Sequence, residues 1–219
     1  MINPKTLSFL TALKKNNKKE WFEKNRPAYE AAKSDFLGFT DSLIKELVKF
    51  DKPVSGVDAK KSLFRINRDV RFSKDKSPYK TNLGASIKPG GRKSEIPGYY
   101  IHVEPGSAFL AAGVWMPEPD RLNKIRQEID YNFKEFQKII NNKNFKKHFK
   151  TLSQDEKLVN VPKGYEKDNP AAEFLKLKSF VVYKEVGSKE VLSKNFLKQS
   201  VEIFKAAHAF NLFVRRALD

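Results

Sequence analysis

Residues Arg65–Thr81 read RINRDVRFSKDKSPYKT and contain a dense group of cationic side chains. Apolar residues recur at roughly alternate positions through the first half, which favours a half-buried strand over Ser62–Phe72. The second half, Ser73–Pro78, favours a turn, because Ser and Asp side chains bond to nearby backbone amides and Pro fixes φ. The stretch therefore predicts a strand that leads into a polar, cationic loop. Its cations are Arg65, Arg68, Arg71, Lys74, Lys76 and Lys80, and its acids are Asp69 and Asp75.

The segments on either side of this stretch have different apolar periods. Residues 1–58 and 117–219 repeat apolar side chains mainly at helical spacing, whereas residues 59–116 alternate as strands do and also carry the cationic loop. This order predicts a single α+β domain over residues 1–219, with an antiparallel central sheet packed by N-terminal and C-terminal helices. The predicted strands after the loop are Leu83–Ile87, Tyr99–Val103, Phe109–Trp115 and one late strand, Ser179–Tyr183.

Composition and local patterns narrow the class of protein. The chain of 219 residues is 40% hydrophobic and has 18 Phe, which is enough for a packed core. The absence of cysteine excludes disulfides and thiolate chemistry. No apolar run is long enough for a membrane span, and no secretory signal begins the chain, so we expect a cytoplasmic protein with no membrane partner. The sequence shows no metal-ligating pattern, and we expect neither a metal nor a cofactor.

The charge of the chain is strongly positive. Against 26 Asp and Glu there are 43 Lys and Arg, a formal net charge of +17, which raises affinity for anionic partners. The excess is spread over all three thirds of the chain, so any nucleic-acid binding is predicted to be weak and independent of sequence. The alternative is a lysine-rich, solvated surface without such a partner.

The cationic stretch is the best candidate for a binding site. Guanidinium and ammonium groups with nearby hydroxyls would suit a phosphate or a carboxylate. In the alternative interpretation, Asp69 and Asp75 bind the arginines in a structural ion-pair network. A glycine-rich phosphate loop and a nucleophile elbow are both absent. The predicted ligand-binding residues are Arg65, Arg68, Arg71, Lys74, Lys76, Tyr79 and Lys80.

Three functions remain open at this point. The first is binding of a phosphorylated or otherwise anionic small molecule at the stretch Arg65–Thr81. The second is an enzyme that acts on a phosphorylated or carboxylated small molecule, with His102 or Asp75 as candidate acid or base. The third is weak, nonspecific nucleic-acid binding. Nothing in the sequence indicates the oligomeric state.

The sequence resembles one family over nearly its whole length. Besides the long central motif, the resemblance rests on Glu20-Trp21-Phe22, Gly98-Tyr99-Tyr100, Gly113-Val114-Trp115 and Pro162-Lys163-Gly164-Tyr165. These segments are similar to the family of uncharacterised proteins called domain of unknown function 2461. The chain departs from the expected pattern where Asn169 stands in place of a histidine. The resemblance implies one α+β domain and implies no known activity, substrate or cofactor.

Overall fold

The computed structural model describes residues 1–218, and its centre is an antiparallel sheet of four strands. Neighbouring strands pair in the order in which they occur in the chain. Turns that contain glycines at positive φ, including Gly90, Gly91 and Gly106, join the first three strands. The strands are β1 (Leu83–Ile87), β2 (Gly98–Val103), β3 (Ala108–Val114) and β4 (Phe180–Val186).

Helices cover one face of this sheet. Within residues 1–218, no helix is both long enough and apolar enough to cross a membrane. A short 3-10 turn, Lys52–Val54, follows the third helix. The helices are α1 (Pro4–Lys15), α2 (Lys19–Lys24), α3 (Arg26–Val48), α4 (Ala59–Ser62), α5 (Pro119–Tyr131), α6 (Phe133–Ile140), α7 (Lys143–His148), α8 (Ala172–Leu175), α9 (Ser188–Val191) and α10 (Phe196–Arg216).

The covered face of the sheet and the long helices α3 and α10 form the core. Alternation along the strands directs one set of side chains, such as Ile101 and Leu110, into this core. The rings of Phe39 and Phe196 stack at 5.1 Å between α3 and α10, and α1 packs on α3. The predicted α+β class, with helices from both ends of the chain packed on an antiparallel sheet, is confirmed.

A buried ion pair fastens α10 to the sheet. Arg215, near the end of α10, donates to both carboxylate oxygens of Asp51, at 2.7 and 2.8 Å. Tyr99 of β2 donates its hydroxyl proton to the same carboxylate at 2.8 Å, and Asp51 is only 1% exposed. Burial alone would raise the pKa of Asp51, but the hydrogen bonds from Arg215 and Tyr99 outweigh burial and hold this pKa below its ordinary value.

The predicted strand over Ser62–Phe72 is wrong. Ser62 ends a short helix, and the residues after it make only two isolated bridges, from Leu63 to Ala85 and from Asn67 to Tyr79. The apolar alternation continues to Phe72, but residues 69–72 pair with no strand in the described part of the chain, and local side-chain bonds of Arg71 and Lys76 hold a turn there instead. Ile66 is the part of this segment that the core buries.

Candidate functional site

The face of the sheet that points away from the helices borders a cleft of about 930 Å³. The strand register sets the side chains of this face in rows across the sheet. One row consists of Ser86, Tyr100, Ala111 and Tyr183, and the next row of Gly84, His102, Phe109 and Glu185.

Small residues form the floor of this cleft. Gly98 pairs with Gly113 across β2 and β3, and Ala111 lies two residues before Gly113 on the same face. Lys88 and the backbone of Ile87 pack directly against Gly98, so the glycine brings Lys88 close to the floor of the cleft. Gly113 has a φ of +123°, and a Cβ there would lie 2.0 Å from the carbonyl oxygen of Phe180. Glycine is therefore required at this position for β3 and β4 to pair.

Aromatic side chains form the walls. Phe64, which precedes the cationic stretch, meets Tyr100 edge-on with 5.9 Å between ring centroids. Tyr100 lies 5.7 Å from Phe109, and Phe109 lies 6.4 Å from Tyr183, so the series of rings spans the sheet. Trp115, the last residue of the strand predicted over Phe109–Trp115, is 59% exposed beside this cleft.

Cations without carboxylate partners occupy one side of the cleft. Lys88 and Arg92 follow β1 and line the cleft, and the guanidinium of Arg92 lies 4.9 Å from the centroid of Phe64. The ammonium of Lys80 lies 5.3 Å from the same centroid. None of the three has a carboxylate within 4 Å in the part of the chain that the structure describes. The carboxylate that lines the cleft, Glu185, is on β4 at the opposite edge of the sheet.

Burial affects these cations directly. It lowers the pKa of Lys88, although the more distant Glu95 acts in the opposite direction. Burial also lowers the pKa of Lys80, and the charges of Arg65 and Arg92 lower it further. The Nε atom of Arg92 is buried without a hydrogen-bond partner in residues 1–218. An anion in the cleft would offset the unfavourable free energy of holding these charges close together.

A chain of hydrogen bonds begins at the wall of the cleft. The hydroxyl of Tyr100 lies 3.1 Å from Nδ1 of His102, and Nε2 of His102 lies 3.2 Å from the carboxylate of Glu104. Thr81, the last residue of the cationic stretch, donates to the other oxygen of Glu104 at 2.6 Å. The amide of Asn82 lies 3.3 Å from Nδ1 of His102.

This arrangement defines the protonation of the imidazole. A carboxylate only accepts hydrogen bonds, so Nε2 of His102 carries the proton toward Glu104 and Nδ1 accepts. Burial lowers the pKa of His102, although Glu104 opposes this effect, and the ring is neutral at pH 7. Burial, together with the charge of Glu104, raises the pKa of Tyr100 to about 12. Tyr100, His102 and Glu104 therefore have the geometry of a proton relay.

The predicted ligand-binding residues divide into two groups. Arg68, Tyr79 and Lys80 line a second, polar cleft of about 420 Å³, together with the candidate acid or base Asp75. Arg68 is already paired there with Asp75, which also accepts from the backbone of Ser77. Tyr79 is buried and stacks on Phe22 of α2 at 3.9 Å, so its ring supports the fold.

The remaining cations of the stretch point outward. Arg71 pairs with Asp69 at 2.7 Å, and Lys76 donates to the carbonyl oxygen of Val70 at 3.0 Å. Arg65 and Lys74 are exposed. The structure therefore does not gather the seven residues around a single cavity.

Sequence reasoning missed several residues of the larger cleft. Lys88, Arg92, Phe109 and Tyr183 come from separate strands and loops, and only the strand register brings them together. Alternation along the strands was the available signal. Phe109 and Tyr183 occupy the outward-facing positions of β3 and β4, and most of the inward-facing positions of these strands are apolar. No group of three or more His, Cys, Asp or Glu side chains in residues 1–218 could hold a metal ion.

Of three comparisons with known proteins, the comparison with protein families gives a match. No curated protein and no solved structure matches the chain. A family model matches residues 5–213, which are nearly all of the 219. The chain therefore belongs to the family described as "Conserved hypothetical protein (DUF2461)".

Proposed function

We propose that the protein binds a small anionic ligand that carries a flat ring, with nucleotides as the representative class. The observation that carries the proposal is one cleft that combines an aromatic wall with cations that have no carboxylate partner. The ring of the ligand would lie on the small floor between Tyr100 and Tyr183, and its anionic group would meet Lys88 and Arg92. The cleft volume of about 930 Å³ suits a ligand of this size.

This proposal keeps the anionic ligand predicted from the sequence and moves the centre of its site. Arg68 and Arg71 each have a carboxylate partner, Asp75 and Asp69, so they have less to gain from a bound anion. The cationic stretch borders the proposed site through Lys80, which lies on the ring of Phe64. A cytoplasmic location, predicted from the sequence, remains part of the proposal.

Arg92→Gln should weaken the binding of adenosine 5′-monophosphate about 10- to 100-fold, because it removes a charge-assisted hydrogen bond to the phosphate. The fluorescence of Trp115, which lies beside the cleft, provides the measurement at low salt. Adenosine lacks the phosphate and ribose 5-phosphate lacks the base, so each should bind more weakly than the whole nucleotide.

Lys93→Gln is the matched control, since it removes the same charge from an exposed position on the same loop outside the cleft lining. Trp115→Phe identifies the origin of the signal, because the other tryptophan, Trp21, packs on Phe9. Equal affinities of the Arg92 and Lys93 variants, or a nucleotide that binds no better than ribose 5-phosphate, would contradict the proposal.

Catalysis on the bound ligand is a second candidate function, and the relay of Tyr100, His102 and Glu104 favours it. A proton from a ligand hydroxyl or a water would pass to the oxygen of Tyr100 while the proton of Tyr100 moves to Nδ1 of His102. Glu104 would stabilise the imidazolium that forms.

Hydrolysis of bis(p-nitrophenyl) phosphate and p-nitrophenyl acetate tests this second function. Turnover should fall about 100-fold or more in Tyr100→Phe and in His102→Gln. It should also fall as the pH drops below the pKa of His102, which burial lowers from 6.5, because the base must be neutral. Tyr131→Phe removes a hydroxyl from an exposed ring on α5, outside the cleft lining, and is the control. Absence of turnover, or turnover that both variants retain, rejects the catalytic role.

A further inference from the structure

Phe72 is the most exposed large apolar side chain in residues 1–218, with 96% of its surface accessible. It lies near the outer end of the loop that the cationic stretch forms. Local bonds hold this loop: Arg68 pairs with Asp75, and Lys76 donates to the carbonyl oxygen of Val70. The ring of Phe72 contributes nothing to the core, so it is available to a partner.

The surroundings of this ring are cationic. The guanidinium of Arg71 lies 5.8 Å from the ring centroid of Phe72. Asp69 and Asp75, the acids of the loop, are already paired with arginines. Arg65 and Lys74 form no ion pair within the described residues, so the loop presents an aromatic ring with an excess of positive charge. An anionic partner with flat rings is complementary to this surface.

The loop surface is continuous with the larger cleft. Arg92 and Lys80 both lie on the ring of Phe64 at the rim of the cleft. The backbone amide of Lys80 donates to the carbonyl oxygen of Ile66 at 2.8 Å, so Lys80 lies beside the segment that leads from Arg65 into the loop. Cations and aromatic rings therefore follow one another from the cleft to Phe72.

We propose that a single-stranded nucleic acid binds along this path. One base occupies the cleft, the phosphates that follow contact Lys80 and Arg65, and a later base stacks on Phe72. The base in the cleft rests on the function proposed above, whereas the contact at Phe72 extends that function from a nucleotide to a polymer.

A single strand fits this surface better than a duplex or a membrane. Stacking on Phe72 requires the flat face of a base, which neighbouring base pairs cover in a duplex. The aromatic wall lies inside the cleft, out of reach of a flat bilayer. The contacts are made to phosphates and ring faces, so the binding is independent of base sequence.

Fluorescence anisotropy with labelled oligodeoxythymidylates of about 2 to 12 nucleotides tests the proposal at low salt. Affinity should rise with length until one strand reaches from the cleft to Phe72, and then level off. Phe72→Ala should weaken binding of the longest strand about 5- to 100-fold, as expected for one lost stacked base, and leave the shortest unchanged. Arg65→Gln, which removes one of the proposed phosphate contacts, should make the dependence of affinity on salt shallower by about 0.7 in log–log slope.

Tyr131→Ala and Lys124→Gln are matched controls. Tyr131 is an aromatic residue that is 73% exposed on α5, and Lys124 is an exposed cation on the same helix. Neither should change affinity for the longest strand by more than about twofold. Because the exposed side chain of Phe72 supports no packing, its variant should fold as the original chain does.

Three results would overturn the proposal: affinity independent of strand length, an unchanged affinity of the Phe72 variant for the longest strand, or equal binding of a duplex of the same length. Binding to anionic vesicles that Phe72→Ala abolishes, without binding to oligonucleotides, would assign the loop to a membrane surface instead. Titration with adenosine 5′-monophosphate distinguishes failure of the proposed nucleotide binding from failure of its extension to a single strand. If the nucleotide binds but length has no effect, the proposed function stands and this extension fails.

Discussion

Asp51→Ala should lower the free energy of unfolding by about 3–5 kcal/mol, because it leaves the guanidinium of Arg215 buried without its counter-charge. The variant also deprives the hydroxyl of Tyr99 of its acceptor. Urea denaturation, followed by far-ultraviolet circular dichroism, measures the change. A loss below about 1 kcal/mol would show that the pair contributes little to the stability of the fold.

Arg215→Met combined with Asp51→Ala provides the control. Replacing both partners removes the buried charges together, so the double variant should be less destabilised than the sum of the single variants. If the loss of stability in the double variant equals the sum of the losses in the two single variants, the two residues act independently.

The same pair gives an acid dependence of stability with a defined sign. The pKa of Asp51 is depressed in the folded protein, so the stabilisation is present above the ordinary carboxylate pKa and is lost as the pH falls below about 4. Asp51→Asn should show a smaller loss of stability over that interval than the original chain.

Gly113→Ala should destabilise the protein by about 3 kcal/mol or more, because two unfavourable effects add. The new Cβ would lie 2.0 Å from the backbone oxygen of Phe180, and the φ of +123° is one that alanine rarely adopts. The clash is with backbone atoms of β4, so it can be relieved only by separating β3 from β4. The change in urea midpoint, with the slope held constant, provides the measurement.

Gly106→Ala separates the two effects. Gly106 also has a positive φ, +80°, but a Cβ there would meet nothing within 4 Å. We expect this variant to lose only about 1–2 kcal/mol, the cost of the left-handed backbone. Equal losses in the two variants would remove the steric argument for Gly113.

Much of the fold follows from local sequence. Helix α1 (Pro4–Lys15) lies in the segment 1–58, where helical spacing of the apolar residues predicted helices, and Asn3 caps its first turn. The helical spacing over residues 117–219 does not show that α5 and α6 are separate helices, although Asn132 takes a non-helical conformation between them. The apolar period continues across Asn132, so the pattern contains no sign of the break.

The candidate site was harder to predict, because the cations that cluster in the sequence are not the ones that line the larger cleft in the folded protein. Arg68 and Arg71 are close in sequence, yet each is paired with an acid of its own loop. Lys88 and Arg92 gave a weaker sequence signal, and they line the larger cleft. His102 was identified from its strand position, whereas its contacts with Tyr100 and Glu104 depend on side-chain directions that the pattern does not specify.

The distance in sequence between β3 and β4 has a consequence for the order of assembly. Residues 88–97 and 104–107 join β1, β2 and β3, whereas pairing β3 with β4 closes the much longer segment from Val114 to Phe180, at a larger cost in chain entropy. Tyr183 belongs to β4, so a chain that has folded only its first three strands has an incomplete cleft. A ligand held between both walls therefore binds only the fully closed chain, and its binding free energy slows the detachment of the last strand.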